Sequence, residues 1–128
     1  MWENRCKIAI SGVGYSKATR SADIPLAAHA LEAVKEAVAD SGLEMSDIDG
    51  LSTYPELPAI GHAEVDGISV VSVNCMMAML KLPDLTWHIQ VGTTNIGGAV
   101  QQAANALLAG VCKHVVVWRA MHNPRGTY

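Results

Sequence analysis

Charge is what this sequence has least of. Only 16% of its 128 residues are Asp, Glu, Lys or Arg, against about 25% in an ordinary soluble domain. Its nine basic residues are scattered among twelve acidic ones, so no basic stripe exists to follow a phosphate backbone, which argues against nucleic-acid binding. Aromatics are scarce at 5% and Phe is missing, yet half the residues are apolar. That excludes disorder, and the length fits a single domain over residues 1–128. Long hydrophobic runs are lacking too. The longest, Gly67 to Leu80, has 14 residues, short of the roughly 18 that a membrane span requires. A chain so poor in charge has either a surface covered by another subunit or a fold whose second part lies elsewhere.

Cysteines are few. Cys6, Cys75 and Cys112 are odd in number and widely spaced, and residues 1–5 show no signal-peptide pattern. Reduced thiols and a cytoplasmic location are therefore expected. Only one thiol and imidazole lie close together, Cys112 and His114, and a zinc site needs four ligands. No metal and no cofactor are expected.

What is present alternates between strand-like and helix-like patterns. Residues 7–14 form an apolar run ended by Gly12 and Gly14 and read as a buried strand. Ser21 or Asp23 then offers a helix cap. From Ile24 the spacing is helical, with Ala27, Ala30, Leu31, Val34, Ala37 and Val38 on one face, and Gly42 as the stop. Residues 47–53 predict a strand, and Pro55 and Pro58 a loop. Residues 67–80 predict a helix closed by Pro83, residues 85–91 a strand, residues 97–109 an Ala-rich helix stopped by Gly110, and residues 114–118 a strand. The order βαβαβαβ predicts an α/β fold, a layered mixed sheet with helices. Residues 85–112 contain no charged side chain, so the helix within them is expected to be buried on all sides.

Two junctions invite chemistry. Gly12-Val13-Gly14 begins a dinucleotide fingerprint, but Lys17 stands where the third glycine belongs and the helix starts some ten residues late. A pyrophosphate would find no helix N-terminus there. The turn Val91-Gly92-Thr93-Thr94-Asn95-Ile96-Gly97-Gly98 instead joins a strand directly to a helix, where unpaired amides suit an acyl carbonyl or oxyanion. Thr94 and Asn95 there either line a pocket or simply cap the helix; the pattern alone leaves both open.

Taken together, the strings SGLEMSDIDGL, MLKLPDLTWHI and GTTNIGGAVQQAANALLAGVCKHVVVWRAMHNPRG resemble the N-terminal half of the thiolase superfamily. In thiolases a nucleophilic Cys lies three residues before a Gly at this junction. Gly97 matches that Gly and Gly110 the later one, which places Thr94 at the nucleophile position. A thiolate at a helix N-terminus is activated by the dipole; a threonine hydroxyl gains little without a base. Cys75, in SVNCMMAML, lies on another element and reads as a core thiol. The Cys-less pattern, with VQQAA and Trp118-Arg119-Ala120, is similar to the lipid-transfer-protein or sterol-carrier-protein type of thiolase, which includes steroid side-chain aldolases.

That resemblance implies part of a thiolase-like enzyme that makes or breaks carbon–carbon bonds in acyl-CoA substrates, an acyltransferase (thiolase) or a retro-aldolase. It implies inactivity for this chain alone, because the family's acid–base residues lie in its C-terminal half. Thr94 would hold the nucleophile position, with Thr93, Asn95 and His122 contacting the acyl thioester. Implied partners are a second copy, through the strand Leu85 to Val91, and a small OB-fold/zinc-ribbon accessory protein. On that strand His88 would meet a partner or water, while Arg119 reads as a strand-end ion pair. The competing reading is a non-catalytic dimerisation or assembly module that binds a partner protein, lipid or acyl-CoA.

Overall fold

The computed structural model describes residues 3–18, 24–54, 71–82, 84–92 and 95–121. Helical spacing puts Leu26, Ala27, Ala30, Val34 and Val38 on the buried face of α1 (Leu26–Asp40). Burying one such valine is worth about 1.5–3 kcal/mol, so this face decides how the helix docks. Pro25 occupies the N-cap position and no side chain caps the helix; Ser21 and Asp23, expected to do so, lie outside the described residues. Gly42, at φ +73°, supplies the left-handed turn that ends α1.

A 3-10 turn, Met45–Asp47, leads into β1 (Gly50–Thr53). Helix α2 (Val73–Leu80) begins on Ser72, whose hydroxyl accepts the Cys75 N–H at 3.1 Å. It is shorter than the sequence suggests: residues 71 and 72 are non-helical and 67–70 lie outside the described set. Lys81 ends it in the left-handed region at φ +52°; Pro83, read as its stop, is not among the described residues. Then come β2 (Trp87–Gln90), α3 (Ile96–Leu108), the turn at Gly110 (φ +72°) and β3 (Val115–Trp118).

The three strands run parallel in the order β2-β1-β3, with Leu51 in register with His88 and Val116. Period-two alternation then sorts the side chains by face. Leu51, Val116 and Trp118 join Val34, Val38 and Met76 in one core cluster beneath α1 and α2. Ser52 turns the other way, and its hydroxyl donates to the Ala99 carbonyl of α3 at 3.0 Å. Gly50 is needed on that side, because a Cβ there would lie 2.7 Å from Val115 Cγ2 and 3.2 Å from Cys112 Sγ. The result is an α/β/α sandwich centred on β1.

Two expectations need correction. Residues 7–14 form no strand: among the described residues nothing pairs with them, and an apolar run becomes a strand only when a neighbouring edge accepts its amides. The sheet is parallel rather than mixed in its described part. Within this chain α3 is covered on one side only. It buries Ala99, Ala103 and Ala106 against the sheet, but Val100, Gln101, Gln102 and Asn105 are exposed. Those side chains are uncharged, so the helix presents a neutral face outward.

Candidate functional site

In a parallel sheet every strand ends on the same side, and the helices that follow begin there. Thr53, Gln90 and Trp118 are the last residues of β1, β2 and β3 and stand in register. Their side chains brace this rim. The Thr53 hydroxyl donates to the Trp118 carbonyl at 2.9 Å, and the Trp118 indole N–H donates to the Val71 carbonyl at 3.1 Å. Gln90 Oε1 accepts the Val73 N–H at 3.2 Å, fastening the start of α2 to the end of β2. Thr53 and Trp118 are buried, so each hydrogen bond here satisfies groups that water does not reach.

At the start of α3 the side chain of Asn95 accepts the Gly98 N–H at 3.3 Å. Asn95 is therefore the N-cap, which accounts for its presence irrespective of any ligand. The small residues Gly97 and Gly98 follow, and Gly97 could not carry a Cβ without crowding Asn95 Oδ1 at 2.9 Å. Beyond β3, Arg119 is exposed and donates through Nε to the Met121 thioether at 2.9 Å. No ion pair joins it to another described residue; residues 55–70 and 122–128, where a partner could lie, are outside the described set. His88 is exposed on β2.

Of the four residues singled out from the sequence, Asn95 is placed at the carboxyl rim by the structure. Thr93, Thr94 and His122 lie outside the described residues. Ser72, Gln90, Thr53 and Trp118, which shape the rim, were not singled out. Gln90 carried little signal, being one of three polar residues, with Thr86 and His88, that alternate with apolar ones along this strand. Ser72 caps α2 through a contact only three residues long, whereas the Trp118 and Thr53 contacts join residues 47 and 65 positions apart and leave no local trace.

Elsewhere the chemistry-bearing groups are quiet. Cys6, Cys75 and Cys112 are free thiols. Cys75 is half-buried against the core cluster, as a packing residue would be. Burial pushes the Cys112 thiol up from its ordinary value of 9.0, and the nearby Asp49 charge pushes it further the same way, so it is not an activated nucleophile. Gly12 and Gly14 lie against Ala37 and Ala33, in the second half of α1 and far from its N-terminus, which is not the geometry of a dinucleotide loop. Among the described residues no cluster of three or more His, Cys, Asp or Glu could hold a metal ion. No described helix is long and apolar enough to cross a membrane.

No family model matches the chain. It is 35% identical over 121 residues to a steroid side-chain-cleaving aldolase of Thermomonospora curvata. It is 32% identical over 126 residues to a 17-hydroxy-3-oxo-4-pregnene-20-carboxyl-CoA lyase of Mycobacterium tuberculosis. Each alignment takes in 92% of this chain and 28% of the relative. A solved structure of an Ltp2-ChsH2(DUF35) aldolase superposes with a TM-score of 0.74 at 30% identity, over 93% of this chain and 28% of that one. The chain thus spans little more than a quarter of these three proteins, which are named as aldolases or a lyase.

Proposed function

We propose that the chain forms part of a carbon–carbon lyase that cleaves a β-hydroxyacyl-CoA by retro-aldol reaction. The observation that carries this reading is the similarity, along nine-tenths of the chain, to two enzymes named for that kind of cleavage. In the substrate that names the second relative, the 17-hydroxyl lies β to the thioester carbonyl. A base takes the hydroxyl proton, the carbon–carbon bond breaks to leave a ketone, and the electron pair passes into a thioester enolate that is then protonated at carbon.

No acyl-enzyme occurs on that path, so a threonine at the position of a thiolase nucleophile is no obstacle. What the step needs is a base, and hydrogen-bond donors at the thioester oxygen where charge develops. Thr93, Thr94 and Asn95, at the entrance to α3, are assigned the second role, with His122 as a further substrate contact. The base is assigned to polypeptide beyond this chain, as the short coverage of the relatives suggests. Membership of the thiolase superfamily belongs to the same proposal, supported by the α/β layering and by the strand-to-helix junction at Asn95.

Two associations complete the reading. β2 is an edge strand, paired only with β1 among the described residues. The Trp87 and Val91 amides point to β1, so alternation turns the His88 amide outward. A second copy adding its own β2 there would form a continuous sheet. The solved aldolase's name joins two proteins, which favours an accessory protein of the OB-fold/zinc-ribbon kind here as well.

The test is a cleavage assay with 17-hydroxy-3-oxo-4-pregnene-20-carboxyl-CoA, following release of the ketone. The chain alone should show no turnover. Co-expressed with the unmatched portion of the Thermomonospora relative, it should cleave the thioester, and Thr94→Val should slow cleavage at least tenfold. Full turnover by the isolated chain, or none in the assembled complex, would sink the proposal.

A further inference from the structure

The chain leaves β1 and β2 toward opposite faces of the sheet. Helix α2, which follows β1, places Met76 in one core with Leu51 and Val116. Helix α3, which follows β2, meets Ser52 on the other face. The two strands are neighbours, so the chain parts between their carboxyl ends and a crevice opens there. Parallel α/β sheets take their ligands at such a switch point. The first residue beyond the end of β1 is Tyr54.

Strand periodicity fixes the direction in which Tyr54 points. Leu51 belongs to the core beneath α1 and α2, and Ser52 reaches α3. Thr53 returns to the side of Leu51, together with Trp118, its register partner. The Thr53 carbonyl accepts the Val91 N–H at 2.9 Å. The peptide joining Thr53 to Tyr54 is therefore still part of the ladder, and the alternation carries through to Tyr54. Its side chain falls on the α3 face.

Its height follows from the rise of each element. Ser52 is level with Ala99, whose carbonyl its hydroxyl reaches at 3.0 Å. Tyr54 is two strand residues further on, about 6.6 Å toward the rim. Helix α3 runs back from that rim, so the same distance along it, about 6 Å or four residues, leads from Ala99 to the N-cap Asn95. Tyr54 therefore stands level with the entrance to α3, on the side of the central strand. It is half-buried. Thr53, Gln90 and Trp118 use their polar atoms to brace the rim, whereas the Tyr54 hydroxyl bonds to no described residue and is not enclosed.

We propose that the Tyr54 hydroxyl is a hydrogen-bond donor to the thioester oxygen of the acyl-CoA, facing the Thr94–Asn95 junction across the crevice. When the carbon–carbon bond breaks, its electron pair moves into the thioester and that oxygen gains negative charge. The phenol O–H donates to it and keeps its proton, so Tyr54 stabilises the enolate and is neither the base nor the acid of the step. A phenol is a stronger donor than an aliphatic hydroxyl. A donor placed where charge develops lowers the barrier more than it tightens ground-state binding. The inference rests on the lyase reading, and it adds to that site a residue from the end of the central strand.

The test is cleavage of 17-hydroxy-3-oxo-4-pregnene-20-carboxyl-CoA by the chain in complex with the unmatched portion of the Thermomonospora relative, parent against Tyr54→Phe. Phe keeps the ring and removes a hydroxyl that holds nothing in the fold, so the melting temperature should stay within about 2 °C. The kcat should fall about a hundredfold, as for loss of one such donor, with KM within threefold. The loss should be equal from pH 6 to pH 8, because no proton leaves the phenol. Four results would each overturn the role of Tyr54 and leave the lyase reading standing: an unchanged kcat, a loss confined to KM, a loss that varies tenfold with pH, or a melting temperature lowered by more than about 5 °C. A parent complex without turnover would overturn both.

Discussion

Asp49 and His114 are bonded to each other twice: the Asp49 N–H donates to the His114 carbonyl at 3.2 Å, and the His114 N–H donates to Asp49 Oδ1 at 2.8 Å. The same carboxylate accepts the Lys113 N–H at 2.9 Å, and the Asp49 carbonyl takes the Thr86 N–H at 2.9 Å and the Trp87 N–H at 3.2 Å. One residue thus aligns the starts of all three strands. Hydrogen bonds to a charged acceptor are worth about 1.5–3 kcal/mol. Asp49→Ala should therefore lower unfolding free energy by about 2–3 kcal/mol in urea melts. A loss below ~0.5 kcal/mol would mean that the strands hold their register without it.

The Cys112 thiol gives stability a dependence on pH. Its value in the folded protein is raised, first by burial and then by Asp49, so the folded state favours the protonated thiol. That contribution is fully present below pH 9, the ordinary value, and is lost as pH climbs through the raised one. Alkaline destabilisation should shrink in Cys112→Ser. In Asp49→Asn the pH midpoint for Cys112 alkylation should fall, but stay above 9 because burial, the larger cause, remains. A midpoint unchanged by Asp49→Asn would contradict the assigned electrostatics.

Much of this fold could be read from local pattern, and the failures have a common cause. The stops at Gly42 and Gly110 depend on neighbours within four residues, so sequence reports them well; the cap at Asn95 is equally local, but the pattern left it open between Thr94 and Asn95 and beside a pocket role. The buried face of α1 follows from spacing alone. Residues 8–14 carry equally good strand chemistry, yet a strand exists only where a second edge meets it, and no local rule supplies that edge. The neutral outer face of α3 is a related case: Gln101, Gln102 and Asn105 showed that charge was lacking, but not whether anything covers them. At the site, Gln90 to Val73 and Trp118 to Val71 are contacts between distant segments, visible only after folding.

Gly14 offers a direct probe of how residues 8–15 are held. A methyl group there would drive into the Ala33 carbonyl and within 2.9 Å of Glu36 Cβ, and the obstacle is largely helix backbone that cannot yield. Gly14→Ala should push the segment off α1, break the hydrogen bonds from the Val13 N–H to Asp40 and the Tyr15 N–H to Glu36 and cost about 1–3 kcal/mol, in the range of other overpacked contacts. Faster exchange of the Val13 and Tyr15 amides should accompany it. Unchanged exchange would mean the segment leaves α1 readily in solution.

The proposed pairing of two β2 strands makes His88→Pro the informative variant. Parallel pairing uses the Trp87 and Val91 amides to reach Asp49 and Thr53 in β1, so the His88 amide is not needed within the subunit. Proline is tolerated at such an edge position, and the exposed His88 side chain contributes no packing that would be lost. A dimer built on this edge loses a main-chain hydrogen bond and meets a ring where a partner strand must approach. Sedimentation velocity should therefore show His88→Pro as a monomer of native-like helix content under conditions where the parent chain is dimeric. A variant that dimerises as well as its parent would place the interface elsewhere. The neutral outer face of α3 would then be the next surface to test, with Gln101→Glu.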